Sequence, residues 1–328
     1  MYLPRESAEH DAASLDMYNG FGGDPARLIN AAFALNTIGQ FALLVLLATL
    51  LLSRAVYHYS SVMFNLLLIC LAGSVPQYFL MYAGEIYNPL PPLGLCASQA
   101  ALIDGLQCAF AVVALCLAIA YMVEFQIVSL TAMQTKYLQR ALVALPYLTF
   151  LPFSSGVAIF GASHPEQVRH MPNDLTCILH NRTLITATRV VIATLVTLTL
   201  SLTTFAILHT LTTRERLYRK RLTVPSFSEA VRIAVFALFQ AHLLTLDILR
   251  SYIQSDSVRV AYMILQALVP LITALNFGSK AECYQAWKGA AIGLTNKFHK
   301  RSCHQSAARD VQREMRINVD KSVCVVVD

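Results

Sequence analysis

Apolar residues run along this chain in seven long blocks, separated by short polar stretches. The blocks lie at about 28–52, 61–83, 97–123, 138–160, 184–210, 228–250 and 258–277. Each approaches the ~20 residues a helix needs to cross the hydrocarbon core of a membrane. Pro76 interrupts the second block, Pro146 and Pro152 the fourth, and Pro270 the seventh. Membrane helices tolerate such prolines where neighbouring helices re-satisfy the freed backbone groups. The pattern predicts an all-α, seven-transmembrane-helix bundle over residues 28–277. Beyond it, Cys283, Trp287, Ala290, Leu294 and Phe298 recur at three- or four-residue steps, with Lys280, Lys288, Lys297 and Lys300 among them. That spacing predicts an amphipathic helix over 278–300, parallel to the membrane with its apolar stripe in the acyl chains. Tails at 1–27 and 301–328 read as disordered.

Composition agrees with the pattern. The chain of 328 residues is 56% hydrophobic and only 13% charged, against roughly 25% charged in soluble domains. Residues 1–26 lack the basic start and apolar core of a cleaved leader, so the first block reads as an uncleaved signal anchor. Orientation follows from Lys and Arg, which accumulate on the cytoplasmic side. With the N-terminus outside, 18 of the 25 basic residues fall on the inner side and 7 on the outer. The expectation is a multi-pass protein of the plasma membrane, N-terminus extracellular and C-terminus cytoplasmic. The net charge of +6 is no nucleic-acid signature, because the basic residues sit where topology wants them.

This topology puts the loop 161–183 outside, and with it Cys177 and the sequon Asn181-Arg182-Thr183. Asn181 is then a glycosylation candidate. Of eight cysteines, Cys70, Cys108 and Cys116 lie inside spans, Cys283, Cys303 and Cys324 lie on the inner side, and only Cys96 and Cys177 remain outside. Two lone cysteines in an oxidising space point to one disulfide. It would pin the long loop onto the top of the third span; the alternative is two free thiols.

Seven spans, an outer N-terminus, a cysteine opening the third span and a second in the next long outer loop form a frame over residues 28–298 that resembles the G-protein-coupled receptors. The third span ends in "YMVEFQ", the sixth lacks Cys-Trp-x-Pro, and the seventh ends in "LVPLITALNFGSK" without Asn-Pro-x-x-Tyr. The resemblance is therefore to a divergent group, such as the receptor-like proteins of fungi or other lower eukaryotes, rather than to the rhodopsin-like receptors. It implies a ligand (a small molecule, lipid or peptide) taken up in the outer half of the bundle, and a heterotrimeric G protein as cytoplasmic partner. The inner basic residues Lys136, Arg140, Arg214, Arg216, Arg219, Lys220 and Arg221 are candidates for contact with that partner or with inner-leaflet lipids. Simple anchoring to anionic lipid accounts for the same charges. The run 214–221 reads as an extension of the fifth helix, stopped by Pro225, and Ser226-x-x-Glu229 as a capping box that starts the sixth. Cys303, just past the amphipathic segment, is a palmitoylation candidate or an unmodified thiol.

A charge at mid-membrane costs about 2.5–3.5 kcal/mol on insertion scales, so such residues need a partner, water or a role. Asp104 lies two turns below Cys96 on the third span, with Gln107 near it and Gln99 above. Arg189, Asp247 and Gln266 sit at the outer halves of the fifth, sixth and seventh spans, with His242 deeper. Asp104 is the expected centre of a ligand pocket, with Gln107, Arg189, His242, Asp247 and Gln266 as lining. The competing reading is an internal ion pair, Asp104–Arg189 or Asp247–Arg189, that only locks the bundle. Asn30, Asn36, Gln40, Asn65 and Asn276 read as interhelical hydrogen-bonding groups. The threonines of the fifth span read as bonding their own carbonyls four residues back.

Other classes fit less well. The seventh span has no lysine for a retinal Schiff base, and no cofactor is expected. H-E-x-x-H, P-loop and G-x-S-x-G motifs are absent, so no catalytic residue is assigned. His164, His170 and His180 have no metal-site spacing. Pro76-Gln77 is half of a Pro-Gln-loop transporter signature without its repeat. A seven-span solute transporter is the alternative function.

Overall fold

The computed structural model describes residues 25–52, 61–86, 88, 90–124, 128, 130–170, 175–219, 227–253, 255–279, 283–285 and 287–288. Among the described residues, seven helices are long and apolar enough to cross a membrane. They are α1 (Pro25–Leu52), α2 (Ser61–Tyr82), α3 (Leu93–Glu124), α4 (Ala132–Ser163), α5 (Arg182–Arg219), α6 (Phe227–Tyr252) and α7 (Asp256–Gly278). The fold is the all-α seven-helix bundle that the apolar blocks predict, with helix ends a few residues longer than the blocks. One short hairpin, β1 (Val168–His170) and β2 (Cys177–Leu179), interrupts the connection between α4 and α5.

α3 is the axis of the bundle and packs against α2, α4, α5 and α6, while α7 closes the ring against α1 and α6. Sequence explains its central place. Ala100, Ala101, Gly105, Ala109, Ala111, Ala114 and Ala118 are all buried along it, and small residues let helix backbones approach closely where lipid supplies no hydrophobic drive. At Gly105 a Cβ would lie 2.8 Å from Cβ of Ser154 and 3.0 Å from the Phe150 ring, so α4 rests directly on α3 there. A second close approach joins α1 to α7, where a Cβ on Gly39 would lie 2.6 Å from the Leu271 nitrogen and 2.8 Å from Pro270.

The prolines are accommodated in two ways. Pro146, Pro152 and Pro270 stay inside continuous helices. Pro76 breaks α2 into Ser61–Ser74, a 3-10 turn Pro76–Tyr78, and a last turn Phe79–Tyr82. The Pro76 carbonyl accepts from the Phe79 N–H and gains a second partner on α3, described below.

Polar groups inside the bundle largely knit helices together. Asn65 donates to the Val143 carbonyl at 3.0 Å and accepts from the Tyr147 hydroxyl, joining α2 to α4. Asn36 donates to the Ser74 carbonyl at 3.3 Å. Asn276 donates to the Arg232 carbonyl at 2.9 Å, and Arg232 returns a bond to the Ser279 carbonyl at 3.1 Å, clasping α6 to the end of α7. Asn30 departs from the expectation. It is exposed, one position past the buried Ile29, and so faces away from the other helices. Gln40 leaves a buried Nε2 without a partner among the described residues. The α5 threonines bond their own helix as expected, for example Thr199 to the Leu195 carbonyl and Thr210 to the Ala206 carbonyl.

α5 continues to Arg219, along the run predicted to extend it. Helical turns recur at 283–285 and 287–288. There Cys283 is fully buried, and Trp287 donates to the Thr49 hydroxyl at 2.7 Å, tying this segment back to α1. The tail 1–24, Lys220, Arg221, Ser226 and Cys303 lie outside the described residues, as do the side chains of Arg214, Arg216 and Arg219.

Candidate functional site

A cavity of about 200 Å³ opens beneath the hairpin, enclosed by α2, α3, α5, α6, α7 and β2. Its roof is built from the sequence upward. β1 and β2 pair antiparallel with Val168 opposite Leu179 and His170 opposite Cys177. This register turns Val168, Cys177 and Leu179 inward to be buried, while Arg169 stays exposed. A disulfide joins Cys177 to Cys96 near the start of α3, with Cα atoms 5.2 Å apart.

Gln99 adds a second fastening. It is 0% exposed. Its Nε2 donates to the Pro76 carbonyl at 2.9 Å, and its Oε1 accepts from the Cys177 backbone N–H at 3.0 Å. One carboxamide thus ties the turn at the α2 break, whose Pro76 carbonyl also accepts from the Phe79 N–H, to the amide of the disulfide-bonded strand. Asn181 follows the hairpin and caps α5, its Oδ1 accepting from the Leu184 N–H at 3.0 Å, while its Nδ2 reaches Gln167 at 3.3 Å. The asparagine of the sequon therefore has a structural part in the folded chain.

Five of the six lining residues predicted from sequence come together on the cavity wall: Asp104, Gln107, Arg189, Asp247 and Gln266. His242 does not. It is exposed on the outside of α6, because at 3.6 residues per turn five positions place it about 140° around the helix from Asp247. Predicting by depth alone missed that rotation.

The charges on the wall fall into two groups. Arg189 bridges α5 to α6, its Nε to Asp247 Oδ2 at 2.8 Å, a second nitrogen to the Asp247 carbonyl at 3.3 Å, and a third to the Ser251 hydroxyl at 2.9 Å. Arg250 also bonds Asp247, at 3.1 Å, and its guanidinium lies 4.4 Å from the ring centroid of Tyr262 on α7. One of the two anticipated ion pairs, Asp247–Arg189, is therefore present, and it forms a three-helix latch rather than an isolated pair. Asp104 stands apart. Among the described residues no side chain hydrogen-bonds to its carboxyl, and no cation lies within ion-pair distance.

Sequence reading gave Gln99 no role and passed over Gln240 and Tyr262. Gln240 donates to the Phe110 carbonyl at 3.3 Å, and its buried Oε1 has no partner among the described residues. The signal for both glutamines was a carboxamide inside an apolar run, "ASQAAL" and "LFQAHL". Such a group in hydrocarbon must find a partner on a neighbouring element.

At the other end of the bundle, Lys136 and Arg140 are exposed on the first turns of α4. That helix opens with a capping box in which Thr131 and Gln134 bond each other's backbone N–H. No group of three or more His, Cys, Asp or Glu able to hold a metal occurs among the described residues. Compared with known proteins, the chain matches no protein-family model and no curated protein.

Proposed function

We propose that this chain is a receptor of the G-protein-coupled kind, which binds an extracellular ligand in the cavity under the hairpin and signals to a heterotrimeric G protein at the opposite face. One observation carries the reading. A carboxyl without a partner, on the central helix, faces a cavity roofed by a disulfide-bonded lid and walled by five of the seven helices. A half-buried carboxyl at membrane depth is costly to keep unless something that binds there meets it.

The latch supplies a route from ligand to far face. Arg189, Asp247 and Arg250 hold α5, α6 and α7 together at the cavity, and the Arg232–Asn276–Ser279 clasp holds α6 to α7 at the other end. A ligand that shifts α6 at the first set biases the second. In this reading the hairpin faces outside at the plasma membrane, and the G protein meets Lys136, Arg140 and the basic extension of α5. Inner-leaflet lipid shares that surface.

The test is a second-messenger assay in cells expressing the full chain, across small nutrients, lipids and peptides, with surface expression measured. A response to one class that disappears in Asp104→Ala at equal expression supports receptor and site together. A flat panel, with solute uptake raised instead, replaces the receptor with a seven-span transporter.

A further inference from the structure

The unmet groups on the cavity wall are of two opposite kinds. Asp104 on α3 has no cation within ion-pair distance and no hydrogen-bond partner among the described residues. Arg189 on α5 lies near enough to act on that charge without pairing with it. A guanidinium carries five N–H groups. Arg189 uses three of its own, on Asp247 Oδ2, the Asp247 carbonyl and the Ser251 hydroxyl. The others have no partner among the described residues. The wall therefore offers an anionic acceptor and, a short way off, spare donors on a cation.

Gln107 on α3 and Gln266 on α7 widen the donor side. Both line the cavity, and neither has a hydrogen-bond partner among the described residues. A ligand with a single charge meets only half of this set. An ammonium pairs with Asp104 and leaves the spare Arg189 N–H groups unmet. A carboxylate pairs with those groups but adds an anion beside Asp104 and Asp247 at membrane depth, where uncompensated charge is costly. An uncharged molecule leaves Asp104 without a counter-charge. A zwitterion answers both kinds. In an α-amino acid the ammonium and the carboxylate sit side by side on one carbon, which suits wall charges that are close but not in contact. Phe110 lies further down α3, about 9 Å from Asp104 at 1.5 Å per residue along the axis, and with Val269 of α7 it gives apolar wall for a side chain. The space of about 200 Å³ exceeds the roughly 150 Å³ that takes up benzene in an engineered cavity, which is room for one amino acid and not for a peptide.

We infer that the cavity takes a single α-amino acid with an apolar side chain, its ammonium on Asp104 and its carboxylate on Arg189 and the glutamine amides. This deepens the receptor reading and rests on it for its biological sense, but is tested by binding alone. The full chain, purified and placed in lipid nanodiscs, is titrated with free alanine, valine, leucine, methionine and phenylalanine, and ligand-induced thermal stabilisation is recorded. The best binder is then compared with the amine that lacks its carboxylate and with the acid that lacks its ammonium. The expected result is saturable stabilisation by the amino acid, with affinity weaker by roughly tenfold or more for each singly charged relative, since each has lost a charge-assisted contact. In Asp104→Asn the amino acid should bind about as weakly as the acid, because its ammonium has lost its partner, while the affinity of the acid itself does not fall. His242→Ala, outside the cavity, should leave every affinity unchanged. An amine or acid that binds as well as the amino acid, no stabilisation by any amino acid, or full affinity in Asp104→Asn would overturn the inference. Amino-acid binding with no second-messenger response leaves the ligand class standing and refutes the coupling. A second-messenger response to another class of compound, with no amino acid bound, refutes the ligand class and leaves the receptor reading standing.

Discussion

Replacing Gln99 by leucine keeps the side-chain volume close to native and removes only its hydrogen bonds. In the native chain the carboxamide serves the Pro76 carbonyl at 2.9 Å and the Cys177 N–H at 3.0 Å, in a position with no solvent access. The Pro76 carbonyl keeps the Phe79 N–H, so the group left without a partner is the Cys177 N–H, and the substitution should destabilise the bundle by about 1–3 kcal/mol. At about 2–4 °C per kcal/mol for a chain of some size, the unfolding midpoint falls by roughly 2–12 °C. Cys70, Cys108 and Cys116 are free and buried, so a thiol-reactive dye reports opening of the bundle as temperature rises. The disulfide stays in place in this variant, which separates the role of Gln99 from that of the covalent link. A midpoint within about 1 °C of wild type would show that the strand and the α2 break are held by other means, and the account of the roof would be wrong.

Other perturbations test separate parts of the structure. Gly39→Ala places a methyl 2.6 Å from the Leu271 backbone nitrogen. Backbone cannot yield as a flexible side chain does, so a loss of about 1–3 kcal/mol should appear in the same dye assay, and an unchanged midpoint would contradict the close α1–α7 approach. Asp247→Ala removes the carboxylate that Arg189 and Arg250 share. The groups are about a fifth exposed, so the cost should lie near or below the roughly 3 kcal/mol at the low end for breaking a buried pair. The double variant Arg189→Leu with Asp247→Leu should be more stable than the additive sum, and additivity would refute the latch. Cys177→Ser, which opens a link spanning 81 residues, should lower stability by roughly 2–4 kcal/mol, and equal midpoints under non-reducing conditions would contradict a bonded lid.

The spans were legible because lipid leaves the chain little choice. Every backbone polar group must be paired within the segment, so a long apolar run reads as a helix. The roof was legible in part, since Cys96 and Cys177 stood out as a pair once the inner and buried cysteines were set aside. What could not be read was rotation about helix axes. Spacing set His242 and Asp247 on different faces of the sixth helix, and only the fold shows which of them turns to the cavity. Sequence named Arg189 and Asp247 without showing that Arg250 joins them on one carboxylate and that Asp104 stays apart. Pro76 announced a break, but nothing local said that its carbonyl would be met by Gln99, 23 positions away. Those are tertiary pairings, and the sequence records only that each group needs one.

The most direct test of the central claim is nucleotide exchange on a heterotrimeric G protein reconstituted with the full chain in nanodiscs, with the compound most active in the second-messenger panel added. Exchange should rise severalfold over the ligand-free chain, and the rise should vanish in Asp104→Ala. Exchange that stays at its ligand-free rate, while the same ligand demonstrably occupies the cavity, would contradict the claim that this protein is a receptor.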